Sequence, residues 1–111
     1  MSGMREISYE ELDALAIGTG VLGTGGGTHP YLELLNIKKL YREGKRVWLL
    51  DPHDVDDDEV VAEVGFMGAP LVTKERLPDP AQICKAFCLM QRHSGKTFQA
   101  VMSSEIGGEN G

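Results

Sequence analysis

The stretch Gly18-Thr19-Gly20-Val21-Leu22-Gly23-Thr24-Gly25-Gly26-Gly27 places six glycines within ten residues. Each glycine disfavours a helix or strand by roughly 0.5–1 kcal/mol relative to alanine, so this density predicts a loop. The next segment, Pro30-Tyr31-Leu32-Glu33-Leu34-Leu35, predicts a helix with proline near its first turn. A glycine loop that leads into a helix N-terminus is typical of a cradle for an anion or a polar ligand. The alternative is a turn whose small residues only let two elements pack closely.

The spacing Gly18-x-Gly20-x-x-Gly23 matches the dinucleotide-binding pattern, but that pattern requires a preceding strand. Residues 9–17 have their apolar side chains at helical spacing instead. Ser8 and Glu11 form a capping box, which predicts that a helix starts there. No Gly-Lys-Ser/Thr directly follows the glycines, as a Walker loop requires. The sequence therefore disfavours both a Rossmann site and a Walker loop.

Helical and strand-like segments alternate on the C-terminal side of the glycines. We predict a helix over 31–42 ended by Gly44, strands over 45–50 and 59–65, and an irregular or extended segment over 71–76. A further helix over 81–93, preceded by Pro78 and Pro80, and a strand over 98–102 follow. This alternation predicts an α/β fold with a mixed or parallel sheet flanked by helices. The expected core residues are strand positions: Val47, Leu49, Val60, Val64, Ala100 and Met102.

Composition limits the classes of function. The 111 residues are 41% hydrophobic and 25% charged, which fits one globular domain. The net charge of −6 argues against nucleic acid as a partner. No apolar run approaches the roughly 20 residues of a membrane span, and no secretory signal is visible, so we expect a cytoplasmic location. Cys84 and Cys88 lie four residues apart, and we expect two buried, reduced thiols on one helix face.

Candidate site residues lie in two of the glycine-rich segments. We expect Thr24, Gly25, Gly26 and Gly27 to contact a ligand through their backbone. The segment 103–111 follows a predicted strand, where ligands of α/β sheets bind. There Glu105 and Glu109 flank a Gly-Gly pair; we expect Glu105 to act as a base or metal-linked carboxylate and Asn110 to orient the ligand. Whether a cofactor or divalent metal is bound stays open, as does a purely structural role of Glu105 in a helix cap or ion pair.

Five motifs occur together in a recognisable order: residues 15–27, 30–31, 64–70, 75–78 and 105–111. In this order they resemble the N-terminal domain of the S-methyl thiohydantoin desulfurase-like family, and the resemblance covers essentially the whole chain. It implies a three-layer α/β/α sandwich and, for the characterised activity, hydrolytic removal of sulfur from a thiohydantoin ring. It also implies a later acidic motif rich in Asp and Gly, which these residues do not contain. We therefore expect residues 1–111 to be the N-terminal part of a truncated α/β domain, inactive alone.

The resemblance favours a hydrolase that acts on a cyclic amide or thioamide ring, with glycine-loop N–H groups stabilising charge that develops during water attack. The principal alternative is a non-catalytic domain that uses the same loops to bind a small anion or to regulate. A nucleotide-binding ATPase module is a third interpretation. The expected partners are a small-molecule substrate and a second copy of the chain or a hydantoinase-type enzyme, with no nucleic acid and no membrane.

Overall fold

The chain contains both helices and short strands, which confirms the predicted α/β class. A computed structural model describes residues 3–68, 70–77 and 79–111. Ala69 and Pro78, which belong to the motifs above, lie outside the described residues. The elements, in chain order, are β1 (Arg5–Glu6), α1 (Glu11–Leu22), α2 (Tyr31–Arg42), β2 (Trp48–Leu49), β3 (Val61–Val64), α3 (Pro70–Glu75), α4 (Gln82–Ser94) and β4 (Ala100–Ser103). Short 3₁₀ turns lie at Pro52–Asp54 and Gly108–Asn110.

The strands form two separate pairs rather than the predicted single sheet. Within the described residues, β1 pairs with β2 antiparallel, Arg5 opposite Leu49, and β3 pairs with β4 parallel, Val61 opposite Ala100. The parallel pair needs a crossover connection, and α3 and α4 lie within it. Since each strand has a single partner in its pair, both pairs leave backbone edges available. The prediction of one mixed or parallel sheet is therefore wrong for the described part of the chain.

Helix α1 begins as predicted but ends later. The backbone N–H of Ser8 donates to the Glu11 carboxylate at 2.7 Å, and the Glu11 N–H donates to the Ser8 hydroxyl at 3.3 Å, which confirms the capping box. The helix then continues through Gly18 and Gly20 to Leu22, so the glycine loop starts at Gly23 rather than at Gly18. Tertiary packing outweighs the low helix propensity of glycine here, because α1 packs along α2.

Helix α2 occupies the predicted residues, and α3 replaces a segment predicted to be irregular or extended. At the end of α2 the N–H of Gly44 donates to the Tyr41 carbonyl at 3.0 Å, as a helix stop requires. Pro70 at the first helical position and the helix-forming Leu71 and Glu75 favour a short helix instead. No helix among the described residues is both long and apolar enough to cross a bilayer.

The buried core lies between β1, α1 and α2. It consists of Ile7, Leu12 and Tyr41, with Leu34 and Ile37 packed against it. The Tyr41 hydroxyl donates to the Ile7 carbonyl at 2.7 Å and accepts from the Val47 N–H at 3.2 Å. This buried hydroxyl therefore ties α2 to the first strand and to the segment that enters β2.

The predicted strand core is not buried. Val47, Leu49 and Met102 are between 43% and 53% exposed, and Val60, Val64 and Ala100 are only partly buried. Cys84 and Cys88 are also exposed, contrary to the prediction of buried thiols. The physical reason is that each sheet has only two strands, and within the described residues no second layer covers both faces.

Candidate functional site

Two glycine-rich loops meet backbone against backbone. Gly23, at the end of α1, lies so close to the 3₁₀ turn that a Cβ on it would approach the backbone nitrogen of Gly108 to 2.6 Å. A Cβ on Gly107 would approach the backbone nitrogen of Gly23 to 2.5 Å. No side chain fits at such distances, and Gly107 and Gly108 are buried in this contact. Close packing between two elements, the alternative given in the sequence analysis, therefore explains why positions 23 and 107 are occupied by Gly23 and Gly107.

Two other glycines of the first loop, Gly25 and Gly26, face open space, whereas Gly27 packs against Gly108. Nothing lies within 4 Å of a Cβ built on Gly25 or on Gly26. The N–H groups of Thr24 and Gly26 donate within the turn, to the Val21 carbonyl at 3.2 Å and to the Gly23 carbonyl at 3.1 Å. The N–H groups of Gly25 and Gly27 have no acceptor among the described residues. Among the described residues, the free N–H donors of the loop are therefore those of Gly25 and Gly27. They are fewer than the number of glycines suggests.

Asn110 joins the segments that follow the two parallel strands. Its side-chain oxygen accepts from the Phe66 N–H at 2.7 Å, and its amide nitrogen donates to the Phe66 carbonyl at 2.9 Å. The same nitrogen donates to the Glu105 carboxylate at 3.2 Å. Because β3 and β4 are parallel, both segments leave the sheet at the same edge. The structure therefore brings two of the predicted site residues, Glu105 and Asn110, into direct contact.

Glu105 is exposed and makes neither of the contacts that a structural role predicts. None of the ion pairs found among the described residues involves it. It makes no cap for the 3₁₀ turn, which begins after Gly107 without a side-chain hydrogen bond. Its backbone N–H donates to the Ser103 hydroxyl at 3.1 Å, which fixes the turn that follows β4. Its carboxylate is accessible to solvent and accepts a hydrogen bond from the amide of Asn110.

Glu109 is a residue of this region whose side-chain pKa departs from its ordinary value. Burial raises the pKa of the Glu109 carboxyl above its ordinary value of 4.5, and the nearby charge of Glu33 raises the pKa further. A hydrogen bond with the Thr28 side chain partly opposes this shift, and the charge of Glu105 adds to it. The Oε2 oxygen of Glu33 is buried without a hydrogen-bond partner among the described residues. The Glu109 carboxyl therefore binds a proton more readily than an isolated glutamate does.

Sequence reasoning missed this pair. Glu33 lies in the first turn of α2, where an acidic residue is favoured by the helix dipole alone. The sequence identified Glu109 only as a second carboxylate near Glu105. No periodicity or spacing relates residue 33 to residue 109, since the contact depends on how the two glycine loops pack. The described residues contain no group of three or more His, Cys, Asp or Glu side chains arranged to hold a metal ion.

These elements define a small α/β domain whose candidate site is built on two packed glycine-rich loops. The family model described as "S-Me-THD-like, N-terminal domain" matches residues 10–111, so the chain belongs to that family. This result confirms the resemblance that the five motifs indicated. No curated protein and no solved structure matches the chain.

Proposed function

We propose that the chain is the N-terminal part of a hydrolase that acts on a cyclic amide or thioamide ring of the hydantoin or thiohydantoin type. The observation that carries the proposal is the position of Glu109. Its carboxyl, with a raised pKa, lies beside Thr28 and Glu33, next to the contact between Gly27 and Gly108. A candidate general acid and free backbone N–H donors thus come from neighbouring segments.

The proposed chemistry divides three roles among these groups. Glu105, exposed and in contact with Asn110, acts as the base that takes a proton from water. The water oxygen forms a bond to the ring carbon, and the N–H groups of Gly25 and Gly27 stabilise the charge that develops on the ring oxygen or sulfur. Glu109 donates its proton to the leaving group as the bond to sulfur or nitrogen breaks. Thr24 and Gly26 shape the loop, and Asn110 holds Glu105 in place.

We also propose that this chain forms part of a three-layer α/β/α domain completed by further polypeptide. Its accessible surface is 8583 Å², whereas a compact monomer of this size exposes about 6,000 Å². Helix α1 carries apolar residues on all its faces, yet only Leu12 and Thr19 are buried. A helix of this kind belongs inside a larger core. On this proposal the chain alone is inactive; a second copy or a hydantoinase-type enzyme is a further proposed partner.

Turnover by a longer family member that carries the same loops tests the function. The longer protein and the 111-residue chain are each assayed with hydantoin and thiohydantoin substrates, with and without a chelator. We expect the longer protein to open or desulfurise the ring and the short chain to be inactive. Turnover by the short chain at the rate of the longer protein would contradict the proposal that it is incomplete. Saturable binding without turnover by the longer protein would favour the alternative, a non-catalytic small-anion-binding domain.

Two substitutions test the assignment of the site. They are made in the longer protein, at the positions that correspond to Glu105 and Gly26 of this chain. Glu105→Gln removes the proposed base, and Gly26→Val blocks the open side of the loop. We expect each to lower kcat/KM by about 10²-fold or more while the protein stays folded, because Glu105→Gln removes a general base and Gly26→Val blocks access to the N–H donors of Gly25 and Gly27. Wild-type kcat/KM in both folded variants would show that these loops are scaffolding.

A further inference from the structure

The Oε2 oxygen of Glu33 is buried, yet no hydrogen-bond donor of the described residues reaches it. Within the described part of the chain it is the one buried side-chain nitrogen or oxygen atom that lacks a partner. A buried acceptor without a donor costs about 1–3 kcal/mol, so folded proteins seldom leave one in that state. This oxygen therefore requires a proton donor or a cation beside it.

Packing of the two glycine loops brings the Glu109 side chain to this oxygen. A Cβ on Gly108 would lie 3.2 Å from the carbonyl oxygen of Thr28, so the 3₁₀ turn lies against the segment that enters α2. Glu33 lies in the first turn of that helix. Glu109 follows Gly108 directly, and its carboxyl is close enough to Thr28 and Glu33 for side-chain hydrogen bonds. The loop contact thus places two carboxyl groups side by side.

The charges around the two carboxyls indicate which of them carries a proton. The dipole of α2 favours a negative charge in its first turn, where Glu33 lies. Burial and the charge of Glu33 both favour the protonated form of Glu109, and the charge of Glu105 acts in the same direction. Residues 14–28 carry no charged side chain, so the first loop supplies no cation to stabilise a second carboxylate. The proton therefore belongs on Glu109.

A bound cation would also satisfy the Glu33 oxygen, but the residues around it favour the proton. Ca²⁺ and Mg²⁺ take about six or more oxygen ligands. In the part of the chain that the structure describes, no group of three or more His, Cys, Asp or Glu side chains is arranged to hold a metal ion. A proton between two carboxyls needs no further ligand.

We infer that Glu33 is the positioning residue for the acid of the proposed reaction: its buried Oε2 accepts a hydrogen bond from the protonated carboxyl of Glu109. This inference rests on the proposed function, because Glu109 is the proton donor in that reaction. The hydrogen bond orients the Glu109 carboxyl and keeps its proton in place until the substrate is bound.

The proton balance of the step follows from these positions. The Glu109 O–H turns from Glu33 to the leaving nitrogen or sulfur, the O–H bond breaks, and the proton forms a bond to the leaving atom. Glu109 is then ionised, and Glu105 holds the proton that it took from water. Proton exchange with solvent returns both groups to their starting states. The neighbouring charge of Glu33 favours the return of the proton to Glu109.

NMR titration of the side-chain carboxyl carbons in the 111-residue chain tests the hydrogen bond. We expect the pKa of Glu109 to lie above the ordinary glutamate value of 4.5. Glu33→Gln removes the neighbouring charge and should lower the pKa of Glu109 towards that value. Glu43→Gln is the matched control and should leave it unchanged, because Glu43 is exposed at the other end of α2. The same Glu109 pKa in Glu33→Gln and the unmodified chain would overturn the inference.

A second variant covers the case in which Glu33→Gln does not fold. Glu33→Asp keeps the charge but withdraws the acceptor by one methylene group. It should lower the pKa of Glu109, because the protonated form loses its hydrogen bond. An unchanged pKa in this variant would likewise overturn the inference.

The pH dependence of kcat/KM in the longer protein tests the role in the reaction. We expect kcat/KM to fall at high pH as Glu109 loses its proton, and Glu33→Gln at the corresponding position should move this fall to lower pH. The loss at neutral pH should match the decrease in the protonated fraction of Glu109. A loss that is equal at every pH would show a merely structural role and overturn the inference, while the proposed function stands.

Two further outcomes separate the carboxyl pair from the reaction and from a metal site. A Glu109 pKa that responds to Glu33→Gln, together with no turnover by the longer protein, would support the hydrogen bond and contradict the proposed function. Titration of the chain with Mg²⁺, Ca²⁺ and Mn²⁺ is the last measurement. Saturable binding that Glu33→Gln abolishes and Glu43→Gln preserves would overturn the inference, because a cation would then join the two carboxyls.

Discussion

The side-chain amide of Asn110 pairs with both backbone groups of Phe66, accepting from the N–H at 2.7 Å and donating to the carbonyl at 2.9 Å. One side chain thereby forms hydrogen bonds with two backbone groups. These groups lie on a segment for which the parallel sheet provides no further strand partner. It also holds the segments after β3 and β4 together at the edge where Glu105 lies. The geometry of the candidate site therefore depends on this one amide.

Loss of the Asn110 amide should destabilise the protein. Asn110→Ala leaves the half-buried N–H and carbonyl of Phe66 without their partner, which costs about 1–3 kcal/mol of unfolding free energy. Urea denaturation followed by circular dichroism measures the change. Asn36→Ala is the control, because Asn36 makes no side-chain hydrogen bond among the described residues and lies in α2. An equal loss in both variants would show that the pairing with Phe66 contributes nothing.

Alanine should be tolerated at one glycine of the first loop and not at another. Gly23→Ala places a Cβ 2.6 Å from the Gly108 backbone nitrogen, so the two loops must separate, at a cost of about 1–3 kcal/mol. Gly26→Ala meets nothing within 4 Å, and we expect a change within about 0.5 kcal/mol. Thermal unfolding of both variants is the measurement. Similar melting temperatures for the two would contradict the described contact between the loops.

The unfolding free energy should fall as pH rises above the ordinary glutamate pKa. Since the pKa of Glu109 is raised above 4.5 in the folded state, the folded protein binds more protons than the unfolded chain in the interval between the two values. Stability from this group is fully present below that interval and is lost as the pH passes through the folded pKa. Denaturation at a series of pH values from about 4 to 7 measures the slope.

Two variants assign that slope. Glu109→Gln should remove the Glu109 contribution, because the amide does not titrate. Glu10→Gln, an exposed glutamate at the start of α1, is the control and should keep it. The assignment fails if Glu109→Gln has the same pH dependence as the unmodified chain.

The buried hydroxyl of Tyr41 should contribute more than an exposed one. Tyr41→Phe leaves the Ile7 carbonyl and the Val47 N–H without their shared partner and should cost about 1–3 kcal/mol. Tyr9→Phe removes a single exposed contact with Arg42 and should cost less than about 0.5 kcal/mol. Chemical denaturation compares them. A larger loss for Tyr9→Phe would contradict the location of the core around Tyr41.

Local signals in the sequence account for the start of α1 and for both ends of α2. The pairing of Ser8 with Glu11, the helix over 31–42 and its end at Gly44 depend on contacts a few residues apart, and all three are confirmed. The glycine count could not locate the loop, because packing of α1 on α2 holds Gly18 and Gly20 in a helix. The segment 71–76 was predicted to be irregular or extended, but proline at the first position of α3 favours a short helix there.

The sequence by itself determined the α/β class, the family and the two glycine loops, because these follow from short-range spacing and from motifs in a set order. Tertiary structure alone decided which glycines are needed for close contact and which face open space. It also decided that Asn110 pairs with Phe66 and that Glu109 lies beside Glu33. Those contacts join residues far apart in the chain, and no local pattern encodes them. The backbone approach of Gly23 to Gly107 and Gly108 brings the two loops together, and the Asn110 amide joins the second loop to the segment after β3.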